Sequence, residues 1–323
     1  LNSNNLNNKA ILYKPDLSYR LAQSGGWRSP NTTLNGENHP NGVIINYYLK
    51  NYNDKDYVKI EILNKDKTLI RSYTNNKEKL IEETNKPVLS NTNDIDYALS
   101  SDNIRSIKPV SGGNRLIWDM RYPGFISFDG MILYSSPNTG PKVTPGKYDV
   151  KLTYNDVEIT KEFEIIKDPR VSNSPDDYSN QLDFLLKVRN EVSKANQTII
   201  DIRKIKKDLN YLTLKAENND QLIQIIKDFK NDLFEIENNI HMTKNQSRQD
   251  PLNFGIRINN RLAFLLADSQ RGDYPPTEQS KEFFEKIKIE LEKEISNLKK
   301  VLNTYVGQIN NMVEDNNMKF ISY

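Results

Sequence analysis

Cysteine is absent from this 323-residue sequence and histidine occurs twice. The first absence removes disulfides, thiolate metal sites and cysteine nucleophiles. It leaves the compartment open, since many exported bacterial proteins also lack cysteine. The second leaves little for a metal. His39 lies in a turn-rich loop and His241 near the end of a helical pattern, and neither belongs to a His-Glu-x-x-His pair. No Gly-x-Ser-x-Gly elbow supports a serine hydrolase, and no glycine-rich loop joins a strand to a helix to hold phosphate. No apolar run approaches the roughly 18 residues of a membrane span. Charge of one sign is missing too: 45 Lys and Arg stand against 43 Asp and Glu, a net +2. A nucleic-acid surface needs a basic surplus, so that partner class finds no support. The chain starts at Leu1 with neither methionine nor an apolar signal segment. We expect a processed or truncated piece of a longer protein.

What is present divides into two periods. A length of 323 residues with 36% hydrophobic and 27% charged residues fits a soluble chain of two domains. The first period is organised around residues 112–124, GGNRLIWDMRYPG, bounded by turn signals at both ends. Leu116, Trp118 and Met120 alternate there with Arg115, Ile117, Asp119 and Arg121, the mark of a strand with one face on a core. We place Trp118 at the middle of that core. Residues 43–49, 57–63, 68–73, 146–154 and 157–166 carry the same strand signal, the last two as a hairpin across Asn155 and Asp156. Residues 9–21 read as a strand, a turn and a second extended piece. Residues 75–110 are polar and too long for an ordinary loop, so they are treated as an insertion with a short strand or helix. Strands at this spacing describe an Ig-like or fibronectin-like β-sandwich.

Beyond Lys167 to Arg170 the period changes to that of helices. Ser174 reads as an N-cap followed by Pro175, with Asp176 and Asp177 against the helix dipole. Apolar residues then recur at three- and four-residue steps from Leu185 to Leu209 and from Leu222 to Ile240. The same steps run from Phe254 to Leu265 and from Phe284 to Met312. Pro251 and Pro275–Pro276 open the third and fourth helices. Seams this narrow describe an antiparallel four-helix bundle. Residues 248–261, RQDPLNFGIRINNR, read as a hydrogen-bonded elbow, with a recognition surface as the alternative.

Chemistry is harder to find. Asp54 and Asp56 could bind Ca²⁺ weakly, though they lack the spacing of an EF-hand loop and solvated turn acids are the simpler reading. Asp94 and Asp96 form a similar pair. Asp119 and Asp129 could support a hydrolase only by converging in a pocket.

Several segments together resemble one family, the large exported bacterial proteins with a sortilin-like, BNR-repeat β-propeller, often labelled glycosyl hydrolases. The resemblance is carried by LYKPDLSYRL at 12–21, HPNGVIINYYLK at 39–50, NRLIWDMRYPG at 114–124 and GPKVTPGKYDVKLT at 140–153. KDPR at 167–170, DPLNFGIRINNRLAFL at 250–265 and RGDYPPTEQS at 271–280 complete it. The match covers nearly the whole chain and corresponds to the region after the propeller. It implies that the propeller lies upstream of Leu1, that residues 9–21 are the segment leaving it, and that no catalytic residue is carried over.

The expectations are therefore a β-plus-α multidomain chain, an Ig-like sandwich followed by a four-helix bundle. Residues 1–39 are taken as an irregular segment leaving an upstream propeller, 40–168 as the sandwich with its insertion at about 75–110, and 169–323 as the bundle. The expected role is a non-catalytic binding or scaffold half of an exported protein at the cell surface or in the envelope. Its partner would be the propeller or another surface protein, met through Tyr13, Tyr19 and Trp27. The alternative is part of a glycan or peptide hydrolase whose active site lies mainly in the propeller. No cofactor is expected beyond the weak Ca²⁺ possibility.

Overall fold

The computed structural model describes residues 8–21, 39–84, 105–216 and 219–315. Among them, nine strands in two sheets and six helices form a mixed architecture. The chain divides into two compact units. One comprises Leu1–Gly124, Thr139–Asp183 and Gln270–Pro275, the other Phe125–Asn138, Phe184–Ser269 and Pro276–Tyr323.

The first unit holds both sheets. Strands β1 (Ala10–Leu12), β3 (Val43–Leu49) and β7 (Gly112–Trp118) form an antiparallel three-stranded sheet with β3 central. Strand β3 alternates strictly, with Val43, Ile45, Tyr47 and Leu49 buried, as its sequence period requires. The larger sheet contains β2 (Ser18–Arg20), β4 (Val58–Leu63), β5 (Leu69–Thr74), β6 (Arg105–Ser106), β8 (Gly146–Tyr154) and β9 (Val157–Lys167). Its order is β2-β9-β8-β4-β5-β6, with β2 on β9 and β5 on β6 parallel and the rest antiparallel. Residues of both sheets form one apolar cluster. Trp118 is fully buried in it, edge-on to Tyr148 and Phe163 at 6.0 and 6.1 Å between ring centroids. Its indole N–H donates to the Arg121 carbonyl at 3.2 Å, so the polar handle is satisfied.

The strand expected to run past Trp118 ends there. Met120 takes a positive φ of 59°, a conformation that interrupts the alternation, although its side chain is still buried. The chain then turns so that Arg121 pairs with Lys142 in an isolated antiparallel bridge. In the expected insertion, α1 (Lys77–Thr84) and β6 are described, and residues 85–104 lie outside the described part.

The second unit is built on α2 (Pro175–Lys215, from Phe184 onward), α3 (Asp220–Ile240), α4 (Pro251–Phe254), α5 (Ile258–Ser269) and α6 (Glu278–Asp315). With 41 and 38 residues, α2 and α6 span about 60 Å each at ~1.5 Å per residue. Their starts follow capping chemistry. Ser174 Oγ accepts from the Asp177 N–H while the Asp177 carboxylate accepts from the Ser174 N–H, a reciprocal cap. Asn219 Oδ1 accepts from the Leu222 N–H at the start of α3, and Thr277 Oγ1 from the Ser280 N–H at the start of α6, each a one-way cap. The apolar seams of α2, α3, α5 and α6 share one cluster, with Phe229 stacked on Tyr305 and Phe184 edge-on to Phe284. Residues 125–138 join them, burying Phe125 and packing Phe128, Met131 and Leu133 against the same cluster.

One expected helix is two. Apolar spacing from Phe254 to Leu265 reads as continuous, yet α4 stops at Gly255, where φ is 75° and ψ is 175°. That backbone cannot continue a helix, and α5 starts afresh at Ile258.

Gly140 shows how tightly the turn around Arg121 is packed. A Cβ there would lie 1.9 Å from the Tyr122 carbonyl oxygen and 2.5 Å from that of Pro123, whereas one on Gly113 would meet nothing within 4 Å. Urea denaturation of Gly140→Ala should show a loss of about 2 kcal/mol or more. Gly113→Ala should stay within roughly 1 kcal/mol of the parent; equal effects of the two would show that the turn yields.

Candidate docking strand

Strand β2 is three residues long and alternates sharply. Ser18 and Arg20 are buried, while Leu17, Tyr19 and Leu21 are 53%, 46% and 37% exposed. The alternation places one set inward and the other outward along an extended segment. A three-residue strand paired on one side has few ladder bonds to hold it, so the inward side chains carry the burden. Arg20 Nε donates to the Val143 carbonyl at 2.8 Å, its Nη1 pairs with the buried Asp273 carboxylate, and its Nη2 reaches Gln181 Oε1 at 3.5 Å. The guanidinium also lies 4.9 Å from the centroid of the Tyr178 ring, a favourable cation–π arrangement.

The Asp273 side of the pair is built by a short turn. Gly272 has φ of 75°, and a Cβ there would meet the Tyr274 ring at 2.8 Å, so glycine is what allows Asp273 to turn inward. Gln181 Nε2 donates to the Gly272 carbonyl, and Asn173 Nδ2 to that of Asp273. Every element of this knot belongs to the first unit.

The outward side differs from the rest of its sheet. Tyr19 sits beside the half-buried Ile166 of β9. Farther along, the exposed face carries ion pairs: Lys147 with Glu162 at 3.0 Å and Lys151 with Glu158 at 2.8 Å. Such a face is solvated, whereas the Leu17–Tyr19–Leu21 ridge on the terminal strand is apolar.

Of the expected contact residues, Tyr19 stands on this ridge. Tyr13 follows β1 and is half-buried, with its backbone N–H donating to the Asn46 carbonyl at 3.1 Å. Trp27 lies outside the described residues, as do Asp94 and Asp96. Leu17 and Leu21, which are not among the expected contact residues, are exposed on the same side as Tyr19. Their signal in the sequence is the same alternation that marks Tyr19, a strand pattern that carries no mark of a contact surface. Arg20 and Asp273 had no local signal, because nothing near either residue announces a partner so distant in sequence.

The acidic and histidine candidates are engaged or exposed. Asp56 accepts hydrogen bonds from Asn53, Tyr154 and Asn155, and the bond from the Asn53 backbone, with that from Asn155, holds its carboxyl below the usual range. It braces a turn, and Asp54 beside it is exposed. Among the described residues no cluster of three or more His, Cys, Asp and Glu side chains could hold a metal ion. Asp119 in the first unit and Asp129 in the second are both exposed. Asp177 caps α2. His39 Nδ1 lies 2.9 Å from the Pro40 carbonyl oxygen. The 248–261 elbow has local bonding: the Asp250 carboxylate accepts from the backbones of Gln246 and Ser247 and from the Ser247 hydroxyl.

His241 is a core residue of the second unit, 3% exposed. Asn259 Nδ2 carries two protons. One is directed at Asn196 Oδ1, 3.0 Å away, and the other at His241 Nδ1, 3.2 Å away. Nδ1 therefore accepts, and the ring proton sits on Nε2. Phe128 packs edge-on at 5.0 Å. Burial, followed by repulsion from Arg203, pushes the imidazole pKa down to about 4. Nearby, burial acts to raise the Glu237 pKa, but hydrogen bonds from Lys206 and Arg203 at 2.7 and 2.8 Å hold the carboxylate below its ordinary range.

No family model matches the chain, and no curated protein matches it. A solved structure titled pT26-6p is aligned over 82% of this chain at 13% identity with a TM-score of 0.16, and the chain spans 47% of its length. A likeness that slight carries no argument. No described helix is long and apolar enough to cross a membrane.

Two outcomes follow from these buried groups. Removing one partner of a buried ion pair leaves an uncompensated charge, so Arg20→Met should cost about 3–5 kcal/mol. Arg20→Met with Asp273→Leu should recover most of that loss; a double variant no better than the single would show that the pair is not what holds β2. His241, depressed from 6.5 to about 4, binds its proton more weakly folded than unfolded. Stability is therefore complete above pH 6.5 and falls as pH drops toward 4, by about 3 kcal/mol at ~1.36 kcal/mol per unit. Chemical denaturation of the second unit at pH 7.5 and 4.5 reads this loss, and His241→Gln should remove the part that His241 contributes.

Proposed function

We propose that the chain is a non-catalytic binding module, the C-terminal half of an exported β-propeller protein, and that it docks through the β2 ridge. One observation carries the reading: Leu17, Tyr19 and Leu21 are exposed at alternate positions in and beside a terminal strand whose intervening Ser18 and Arg20 are buried, Arg20 in an ion pair with Asp273. A rigid apolar row has less conformational freedom to lose on binding than a mobile one, which favours its use as a contact surface. The resemblance of residues 9–21 to the segment leaving a propeller supports the upstream propeller as occupant, with another surface protein as the alternative partner. On this reading the first unit is an Ig-like or fibronectin-like sandwich and the helices of the second are a four-helix bundle. The protein acts outside the cytoplasm, at the cell surface or in the envelope.

The test is association between this chain and the separately produced upstream region of its parent protein, measured by titration calorimetry. Three apolar side chains contributing about 1.5 kcal/mol each on burial would give well over a tenfold effect. Replacing Leu17, Tyr19 and Leu21 together by serine should weaken association at least tenfold without lowering the melting temperature by more than a few degrees. Association unchanged by the triple replacement would refute docking through this strand.

A further inference from the structure

Beside the end of β2 the first unit carries an unbalanced group of cations. Arg121 and Lys142 face each other as the bridge pair, and Arg71 and Arg20 reach the same turn. Arg71 donates to the Tyr122 carbonyl at 2.8 Å and lies 3.4 Å from that of Arg121. Two carboxylates stand near these four cations. Asp273 is committed to Arg20, and Asp119 Oδ1 accepts from the Arg121 backbone N–H at 3.2 Å.

The acceptors that Arg121 and Lys142 use are neutral. Arg121 Nη1 donates to the Gly140 carbonyl at 2.7 Å and to Gln270 Oε1 at 2.9 Å, and Lys142 Nζ donates to the Leu21 carbonyl at 2.7 Å. Both side chains are half-buried, and among the described residues neither makes an ion pair. Placing two like charges side by side with partial loss of water is unfavourable, and an anion between them relieves it. The positions are also fixed rather than adventitious, since the Gly140 carbonyl that holds Arg121 belongs to a turn with no room for a Cβ.

We propose that Arg121 and Lys142 form a carboxylate-binding site, placed to take an acidic side chain of the partner that docks on the β2 ridge. The partner assignment rests on the docking reading above, whereas the site itself rests on the cation pair. Lys142 lies against Leu21, the last residue of the ridge. A guanidinium fork and an ammonium together suit the two oxygens of a carboxylate. The arrangement names the partner's chemistry: alternating apolar residues followed by an Asp or Glu.

Burial, then repulsion by Arg121 and Arg20, lowers the Lys142 pKa to about 8, with Asp273 and Asp119 acting weakly in the other direction. A bound carboxylate should raise it. The first measurement is an NMR titration of the Lys142 side chain with sodium acetate, set against sodium chloride at the same ionic strength. Acetate should raise the pKa by about one unit more than chloride. An equal effect of the two salts would mean screening alone and overturn the site, and a shift produced by phosphate but not by acetate would overturn its carboxylate character. In the calorimetric assay with the upstream region, Lys142→Met should weaken association several-fold, and Lys142→Arg should retain it. If the ridge variants lose association while Lys142→Met does not, the acidic contact is wrong and the docking strand stands. If acetate binds but the upstream region never associates, the docking reading is wrong and the anion site stands.

Discussion

A buried guanidinium must be neutralised, and that constraint sets the geometry of the whole first-unit edge. Arg20 is inward because Asp273, the Val143 carbonyl and Gln181 receive it there. Once Arg20 is inward, strand alternation leaves no choice for its neighbours, and Tyr19 and Leu21 must point out. The polar knot and the apolar ridge are thus two faces of one fact. Without the knot, a strand of three residues at the end of a sheet would have little to keep it extended, and the ridge would not be a surface of defined shape. The order of the sheet adds to this, because β9 offers β2 a parallel partner with Ile165 and Ile166 alongside Ser18 and Tyr19.

The buried polar groups elsewhere serve the same purpose in a different chemistry. His241 is held neutral with Nδ1 accepting from Asn259, and Asn259 in turn spans to Asn196. Glu237 is fixed by two cations. Groups committed in this way spend their hydrogen-bonding capacity on position. A general base needs a proton to reach for, and a nucleophile needs an open approach.

Much of the fold is legible in the sequence because it is periodic. Val43–Leu49 and Gly146–Tyr154 are strands over the residues that their alternation marks, and Ser174, Pro275 and Pro276 announce the helices that follow them. Trp118 at the core follows from a bulky aromatic on the inward register of its strand. What the pattern could not show is non-local or conformational. Gly255 breaks a helix through its backbone angles while the apolar spacing runs on unbroken across it. Met120 ends a strand in which it holds the inward position. Residues 125–138 join the apolar cluster of the helices because of how they pack, and their apolar residues, interrupted by Gly130, Ser135, Ser136 and Pro137, follow neither the strand nor the helix period. One residue of the candidate site was legible for the same reason: Tyr19 stands out as an aromatic on an alternating segment, whereas the Arg20–Asp273 pair joins residues with nothing local in common.

The ridge also meets a general difficulty of terminal strands. An open edge with an apolar row invites pairing with any extended chain, and proteins ordinarily blunt it with charge, brevity or proline. Here β2 is only three residues long, Pro15 precedes it, and Arg121 and Lys142 flank its far end. These features limit how many strand bonds an incoming segment can form, so side-chain contacts must supply most of the attraction. A segment lacking negative charge would bring no relief to the two cations and would cost them further water. On the proposed docking, the same devices that protect the edge would discriminate among partners, since an apolar segment ending in a carboxylate would satisfy both the ridge and the cation pair, whereas a basic or purely apolar one would satisfy at most the ridge.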